Sequence, residues 1–476
     1  MSINVNGSRP LGIFSIAMIT AVSVDSVRNL PATALFGSSL IFFFILGALL
    51  FLLPCALVSA ELSSTSTEPG GIYAWVKNAF GPQLGVFAIW LQWIENVIWY
   101  PTILSFVAGT IGFLISPALA DSKVFLISVI LVAFWGATVI NLLGIKSSAR
   151  FSNFCAVTGL LLPMTLIIAL GVVWIFSGQP LQIQFSAHAL LPRLSDSQVW
   201  VALTGIMLSF CGMEIATVHA RDVQNPQRTY PRAMLLATLI IVVTLVCGAL
   251  AIAMVLPEKQ ISLVAGIMQA FHAFFAVYHL TWILPLIALT LVIGGMGSVS
   301  NWIIAPTRGL LLAAQDGYLP KHFAYQNRFA APKVLLIYQA VIVTVITLIF
   351  LLLPSINASY WFLTALSAQL YMMMYVLMFA CALRLRYRPA DRRHGFQIPG
   401  GGWGIWVTGI VGIIGSSLTF VIGFIPPGNI ETGGVFFYES LLVIGLLVMS
   451  TPPIIVYQWL KRLGNSAGER LENAAT

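Results

Sequence analysis

From Leu40 to Leu53 the chain carries no polar side chain. A half-buried strand alternates apolar and polar residues, so this unbroken run is a helix or nothing. Comparable runs, bounded by Gly, Pro and charge, recur along the whole chain. A helix of about 20 apolar residues crosses a hydrocarbon core about 30 Å thick, and it satisfies its own backbone hydrogen bonds on the way. The runs predict twelve spans, at residues 11–35, 38–61, 83–113, 123–143, 152–177, 199–219, 232–256, 273–305, 333–354, 358–384, 404–426 and 434–460. A membrane β-barrel would show weakly alternating segments of about ten residues instead. Only 8% of the 476 residues are charged, where a soluble domain carries about 25%. The expected fold class is therefore all-α and integral to a membrane.

Two pieces interrupt the spans without crossing. Glu68 to Phe80 is a Gly-rich entry followed by an amphipathic stretch, and Arg308 to Phe323 reads as a short helix lying along the interface. The net charge of +8 raises nucleic acid as a partner, but the positions of the charges argue for topology instead. With the N-terminus inside, nearly all Lys and Arg fall on inner loops, and only Lys123, Arg193 and Lys259 fall outside. That lopsided count supports twelve spans and two cytoplasmic termini in a cytoplasmic (inner) membrane. The basic group Arg384–Arg393 then reads as a helix end meeting anionic headgroups. Cys55, Cys155, Cys211, Cys247 and Cys381 all lie in apolar spans, giving no disulfide framework and no metal spacing. No cofactor is called for. The first span is too long for a signal-peptide core and is expected to be retained.

Charged groups at membrane depth cost about 2.5–3.5 kcal/mol each on insertion scales, and so point to function. Asp25, Arg28, Glu61, Glu95 and Glu214 are such groups. Glu61, at an inner span end, reads as a tether for a cytoplasmic loop. Asp25 and Arg28 belong to Ser23-Val24-Asp25-Ser26-Val27-Arg28-Asn29-Leu30-Pro31. Pro31 lacks an N–H and conflicts with the carbonyl near Val27, while Ser, Asp and Asn compete for helical hydrogen bonds. A helix broken around 23–27 is predicted. Ser209-Phe210-Cys211-Gly212-Met213-Glu214 is a second such place, in span 6. Paired broken helices mark transporter sites, where freed N–H groups hold a carboxylate and freed carbonyls an ammonium. That chemistry suits a zwitterion. Asp25 and Arg28 could instead pair with each other at i, i+3, and Glu214 could brace the break without touching substrate. Glu95 is a proton-carrier candidate or a structural hydrogen-bonding group. Span 5 holds no lysine, so a fixed ammonium standing in for sodium is excluded there.

Three segments carry a resemblance over nearly the whole chain: Glu68-Pro69-Gly70-Gly71-Ile72-Tyr73-Ala74-Trp75-Val76; Gly212-Met213-Glu214 leading to Asn225-Pro226-Gln227-Arg228-Thr229-Tyr230-Pro231; and Pro306-Thr307-Arg308-Gly309 through Ala314-Gln315-Asp316-Gly317-Tyr318-Leu319-Pro320. The chain resembles the amino acid–polyamine–organocation (APC) transporter superfamily. Val218-His219-Ala220 and Ala265-Gly266-Ile267-Met268-Gln269 make it most similar to the bacterial glutamate/GABA antiporter branch. The resemblance implies a LeuT-type fold: residues 1–10 a cytoplasmic tail, helices 1–5 (11–177) and 6–10 (199–388) as inverted repeats, two added helices (404–460) and a short tail (461–476). It implies a central site with the helix 1 break on Val24, Asp25 and Ser26, and substrate-facing backbone at Leu208 to Gly212. It also places Asn96 and Trp99 near substrate and makes Trp302 a gating residue. Relatives carry Gly-Ser-Gly where this chain has Val24-Asp25-Ser26, with Arg28 just beyond. The long C-terminal plug of some glutamate/GABA antiporters has no counterpart in 461–476, so acid gating by a plug is not expected.

The expected function is secondary active transport of an amino acid by alternating access, as exchange against a related amino acid or its decarboxylated amine such as GABA. The substrate carboxylate would meet N–H groups near Ser23–Ser26, and its ammonium the helix 6 carbonyls of Leu208, Cys211 and Gly212 with Asp25. Trp302, Trp99 and Phe210 would close over it, and Arg28 would favour an acidic side chain. Glu95, Glu214 and Asp25 are the candidates for proton coupling or gating. A proton-coupled symporter or uniporter, and a non-transporting amino acid sensor, are the alternatives. The only further expected partner is the bilayer, with homo-oligomerisation left open. No enzyme constellation is found.

Overall fold

The computed structural model describes residues 12–65, 70–144, 154–155, 157–193, 195, 197–214, 226–387 and 396–462. Among them, ten helices are long and apolar enough to cross a membrane: Gly37–Thr65, Pro82–Ile115, Lys123–Leu142, Val157–Phe176, Arg228–Val255, Thr281–Gln315, Lys333–Leu352, Ile356–Leu385, Gly401–Ile422 and Val435–Arg462. These are spans 2–5 and 7–12. Span 1 is a bent pair, Ile13–Val24 and Val27–Ala34, set at 42° to each other. Span 6 is the shorter apolar helix Ser197–Ser209, followed by a break described as far as Glu214. The rest of that span, including Val218-His219-Ala220 and Asn225, lies outside the described residues, as do Glu68-Pro69 of the first motif and the basic residues Arg388–Arg393.

Spans 3 and 10 form the centre. Of their most apolar stretch 72% is inside the protein, against 17% for span 12, which is turned to lipid. Span 10 carries the reason in its sequence. Tyr360, Thr364, Ser367, Tyr371 and Tyr375 recur three or four residues apart and are all buried. They make a polar stripe on one helical face that must be satisfied by protein rather than lipid. Spans 5 and 8 approach at backbone distance: a Cβ added at Gly159 would stand 2.0 Å from the Gly294 Cα. Small residues permit that closeness between membrane helices.

Three boundaries differ from expectation. Span 7 starts earlier, at Pro226. Residues 273–277, assigned to the start of span 8, are instead the end of a separate helix, Gly266–Val277, with Phe271, Phe274 and Phe275 buried in protein. It is followed by a turn in which His279 takes a positive φ of 56°, and span 8 restarts at Leu284. Asn357 pins the preceding segment to span 10, accepting from the Leu263 N–H and donating to the Ile261 carbonyl. Arg308 to Phe323 is not a separate interface helix. The span 8 helix runs on through Pro306 to Gln315, because Leu310, Leu311, Ala313 and Ala314 keep a buried face and Gly309 lets it press on Ile89 of span 3. Only Lys321–Ala324 forms a further turn of 3-10 helix.

Glu61 ties the end of span 2 to the end of span 10 and the segment after it. One carboxylate oxygen accepts from Arg386 at 2.7 Å and the other from the Ile398 N–H at 2.8 Å. Arg386 thus serves a protein contact rather than a headgroup.

Candidate functional site

Span 1 leaves the helical path at Asp25 and Ser26. Both adopt extended backbone, with φ, ψ of −69°, 139° and −152°, 123°. The chain then re-enters helix through a tight turn at Val27–Asn29, and Pro31 sits at the beginning of the second segment, Leu30–Ala34. Pro31 thus acts less as a wedge than as a helix starter, since a missing N–H costs nothing in a first turn. In span 6 the helix ends at Ser209, and Gly212 takes φ = 110°, a conformation side chains rarely adopt. Its N–H donates to the Tyr375 hydroxyl at 2.8 Å, and that hydroxyl donates to Glu214 at 2.6 Å. The two breaks touch: a Cβ at Gly212 would lie 3.5 Å from the Ser23 carbonyl oxygen, 3.6 Å from Val24 and 3.7 Å from Trp302.

Two cavities meet at this junction. One, of about 60 Å³, is lined by Ser23, Val24, Asp25, Ser26, Arg28, Glu95, Asn96, Trp99, Leu208, Cys211 and Trp302, all expected from sequence, together with Val22, Asn29, Ser298 and Tyr371. The other, of about 150 Å³, shares Ser23, Asp25, Ser26, Arg28, Ser298 and Trp302, and extends to Phe106, Cys155, Gly159 and the Gly294–Gly297 stretch. A single water needs about 10–15 Å³ of such space, so the larger has room for a small solute.

Asp25 and Arg28 do not pair. Asp25 Oδ2 accepts from Thr244 of span 7 at 2.7 Å, and Oδ1 is buried without a hydrogen-bond partner. Arg28 donates from Nη1 to Thr102 at 2.7 Å and to Tyr360 at 3.3 Å, and its guanidinium lies 5.4 Å from the centre of the Trp99 ring. Each hydrogen bond to a charged group is worth about 1.5–3 kcal/mol, and the aromatic contact about 0.5–2. Together these offset the insertion cost of Arg28 and fix its direction. Glu95 accepts from Ser367 at 2.6 Å and from Asn96 at 3.1 Å. Glu214 accepts from Gln92, Tyr371 and Tyr375. It braces the break and is absent from both cavity walls. The centres of the Trp99 and Trp302 rings stand 6.0 Å apart, and both residues line the smaller cavity.

Phe210 is a correction. It is fully buried on the opposite side of the span 6 turn, 5.6 Å from the Phe44 ring of span 2, and lines neither cavity. At the end of a helical run its side chain follows the packed face of span 6 while the backbone turns. Gly212 contributes its conformation and its contact with Ser23 rather than cavity wall. Sequence reading missed Ser298, Tyr371, Thr244, Thr102 and Tyr360. The span 10 stripe and the small-residue run Gly294-Gly295-Met296-Gly297-Ser298 were the signals available for three of them.

A family model described as amino acid permease matches residues 11–448. The chain belongs to that family. This amino acid permease is 42% identical over 443 residues to an uncharacterized transporter of Legionella pneumophila subsp. pneumophila, covering 93% of this chain and 95% of that protein. It is 29% identical over 466 residues to the glutamate/gamma-aminobutyrate antiporter of Lactococcus lactis subsp. lactis, covering 97% and 93%. It is 24% identical over 401 residues to a probable agmatine/putrescine antiporter of the same organism, covering 83% and 84%. The permease is thus a multi-pass membrane protein of the APC superfamily with a LeuT-like, all-helical fold and broken spans 1 and 6.

Proposed function

We propose that this permease exchanges an amino acid for a related amino acid, or for its decarboxylated amine, across the cytoplasmic membrane by alternating access. One observation carries the reading: the breaks of spans 1 and 6 meet at a cavity lined by extended backbone at Asp25 and Ser26 and by acidic and basic side chains, Asp25, Glu95 and Arg28. A substrate carboxylate binds backbone N–H groups that follow Asp25, where the chain leaves the helix. Its ammonium binds Asp25 Oδ1 and the carbonyls at Leu208 and Cys211. Trp99 and Trp302 close over it. Spans 1–5 and 6–10 act as two inverted repeats that rock about the site, with both termini cytoplasmic. The antiporter names of two relatives favour exchange over one-way flow.

Counterflow in proteoliposomes tests this. Labelled amino acid enters vesicles preloaded with unlabelled substrate and stays out of empty ones; uptake undiminished in empty vesicles would exclude exchange. The second reading, proton-coupled symport, is favoured by the presence of Glu95 and Asp25 in the cavity wall. It requires uptake into empty vesicles that follows an imposed pH gradient.

A further inference from the structure

We infer that the larger cavity is a side-chain compartment, and that the substrate it selects is an amino acid with an uncharged, aliphatic side chain. The inference rests on reading the junction of the two breaks as the transport site.

The two cavities share a rim that includes Ser23, Asp25, Ser26, Arg28, Ser298 and Trp302. Beyond that rim they differ in kind. The smaller continues to the polar side chains of Asn29, Glu95, Asn96 and Tyr371. The larger continues only to apolar residues, one cysteine and glycines of spans 1, 3, 5 and 8, with Ile103, Phe106, Leu160 and Leu291 as its bulk. Those four side chains are buried, so the compartment belongs to the protein interior rather than to the lipid-facing surface. Among the described residues, no carboxylate, cation, hydroxyl or amide side chain stands in that wall. A charged or amide group entering there would give up water without gaining a side-chain partner. An alkyl group would instead make contacts that the empty space denies its lining.

Volume decides where the side chain goes. With its ammonium on Asp25 Oδ1 and its carboxylate on backbone N–H groups after Asp25, the zwitterionic head fills the rim. The smaller cavity is about 60 Å³ with that rim counted, so little of it remains for a side chain. The larger is about 150 Å³, and an apolar cavity of about that size takes a benzene ring. Less the rim, the remainder suits a branched alkyl chain. An added Cβ at Gly159, Gly294, Gly295 or Gly297 would come within 2.6 Å of a neighbour, so the helices behind that wall are already in contact and it has little room to yield. Arg28 belongs to the rim, beside the head. The acidic side chain it suggests in isolation finds no matching wall beyond it.

The experiment uses the full chain in proteoliposomes, each preloaded with the unlabelled form of the amino acid under test. The probes are L-leucine, its polar near-isostere L-asparagine, L-alanine and L-glutamate. Each buried methylene strengthens binding about 4-fold, so leucine is expected to enter at least 10-fold better than the other three at limiting concentration. Leu160→Phe, which fills the compartment, should lower the ratio of leucine to alanine uptake at least 5-fold. In a variant retaining only Cys155, which lines the larger cavity, leucine should slow modification by a small methanethiosulfonate. Alanine, at a concentration that protects Cys211, should leave Cys155 unprotected. If Leu160→Phe does not fold, the wild-type comparison and the Cys155 rates still decide. Asparagine, alanine or glutamate entering as well as leucine, or a Cys155 rate indifferent to leucine, overturns the compartment and leaves amino acid exchange standing. Transport of no amino acid at all overturns both.

Discussion

At Gly212 the constraint is backbone rather than space. An added methyl group would meet nothing nearer than 3.5 Å, yet φ = 110° is a region that side chains avoid. Gly205, in the helical part of the same span, offers the opposite case: its Cβ would lie 3.8 Å from Trp361, with ordinary helical geometry. Gly212→Ala is therefore expected to cost about 1–3 kcal/mol and to impair transport. Gly205→Ala should be neutral or stabilising by up to about 1 kcal/mol. Thermal unfolding of the two purified variants measures the difference, and equal midpoints would remove the claim that the break depends on this backbone. Single residues were readable in sequence where they sat against their surroundings, as Asp25, Arg28 and Glu95 do in apolar spans. Phe210 was not, because an aromatic beside a break looks the same whether it faces a cavity or the Phe44 ring of span 2.

At the scale of elements, the span 1 break was legible because Ser23, Asp25, Ser26, Asn29 and Pro31 all oppose a continuous helix within nine residues. The start of span 8 was not, because Gly266–Val277 is as apolar as a true span while its phenylalanines are buried under protein instead of lipid. The far end of span 8 shows how a short helix is docked. Asp316 accepts from Lys77 at 2.5 Å and from the Tyr73 hydroxyl at 2.6 Å, both on the Ile72–Phe80 helix. The hydrogen bonds from Lys77 and Tyr73 hold the Asp316 carboxyl below the ordinary aspartate value of 3.8. Its contribution to stability is therefore full above pH 3.8 and is lost as pH falls through the lowered folded value. Both charged partners are about one-third exposed, 34% and 38%, so the pair is worth at most about 1 kcal/mol. Asp316→Asn should lower the unfolding midpoint slightly at pH 5–8, and the gap from wild type should close only below about pH 4. A gap that vanished already at pH 6 would mean that another group, not Asp316, controls the clamp.

For the whole molecule, composition alone established the bilayer as solvent, and the skew of Lys and Arg suggested which way round the chain lies. What composition did not contain was the meeting of spans 1, 3, 6, 8 and 10 around one junction, which only the family resemblance implied; its walls are drawn from residues up to 349 positions apart, from Val22 to Tyr371. The cysteines sample that arrangement without any engineered probe. Cys211 lines the smaller cavity and Cys155 the larger. Cys55 and Cys381 are fully buried, and Cys247 is half-buried on span 7 and lines neither cavity. If substrate occupies the junction and the two faces open alternately, then bound substrate must cover the Cys211 thiol. In variants retaining one cysteine each, a small water-soluble methanethiosulfonate should modify Cys211 and Cys155 at measurable rates and leave Cys55 and Cys381 untouched. Saturating substrate should slow Cys211 at least several-fold while Cys247 keeps its rate. A Cys211 rate indifferent to a solute that the protein demonstrably transports would place the substrate somewhere other than the junction of the two breaks.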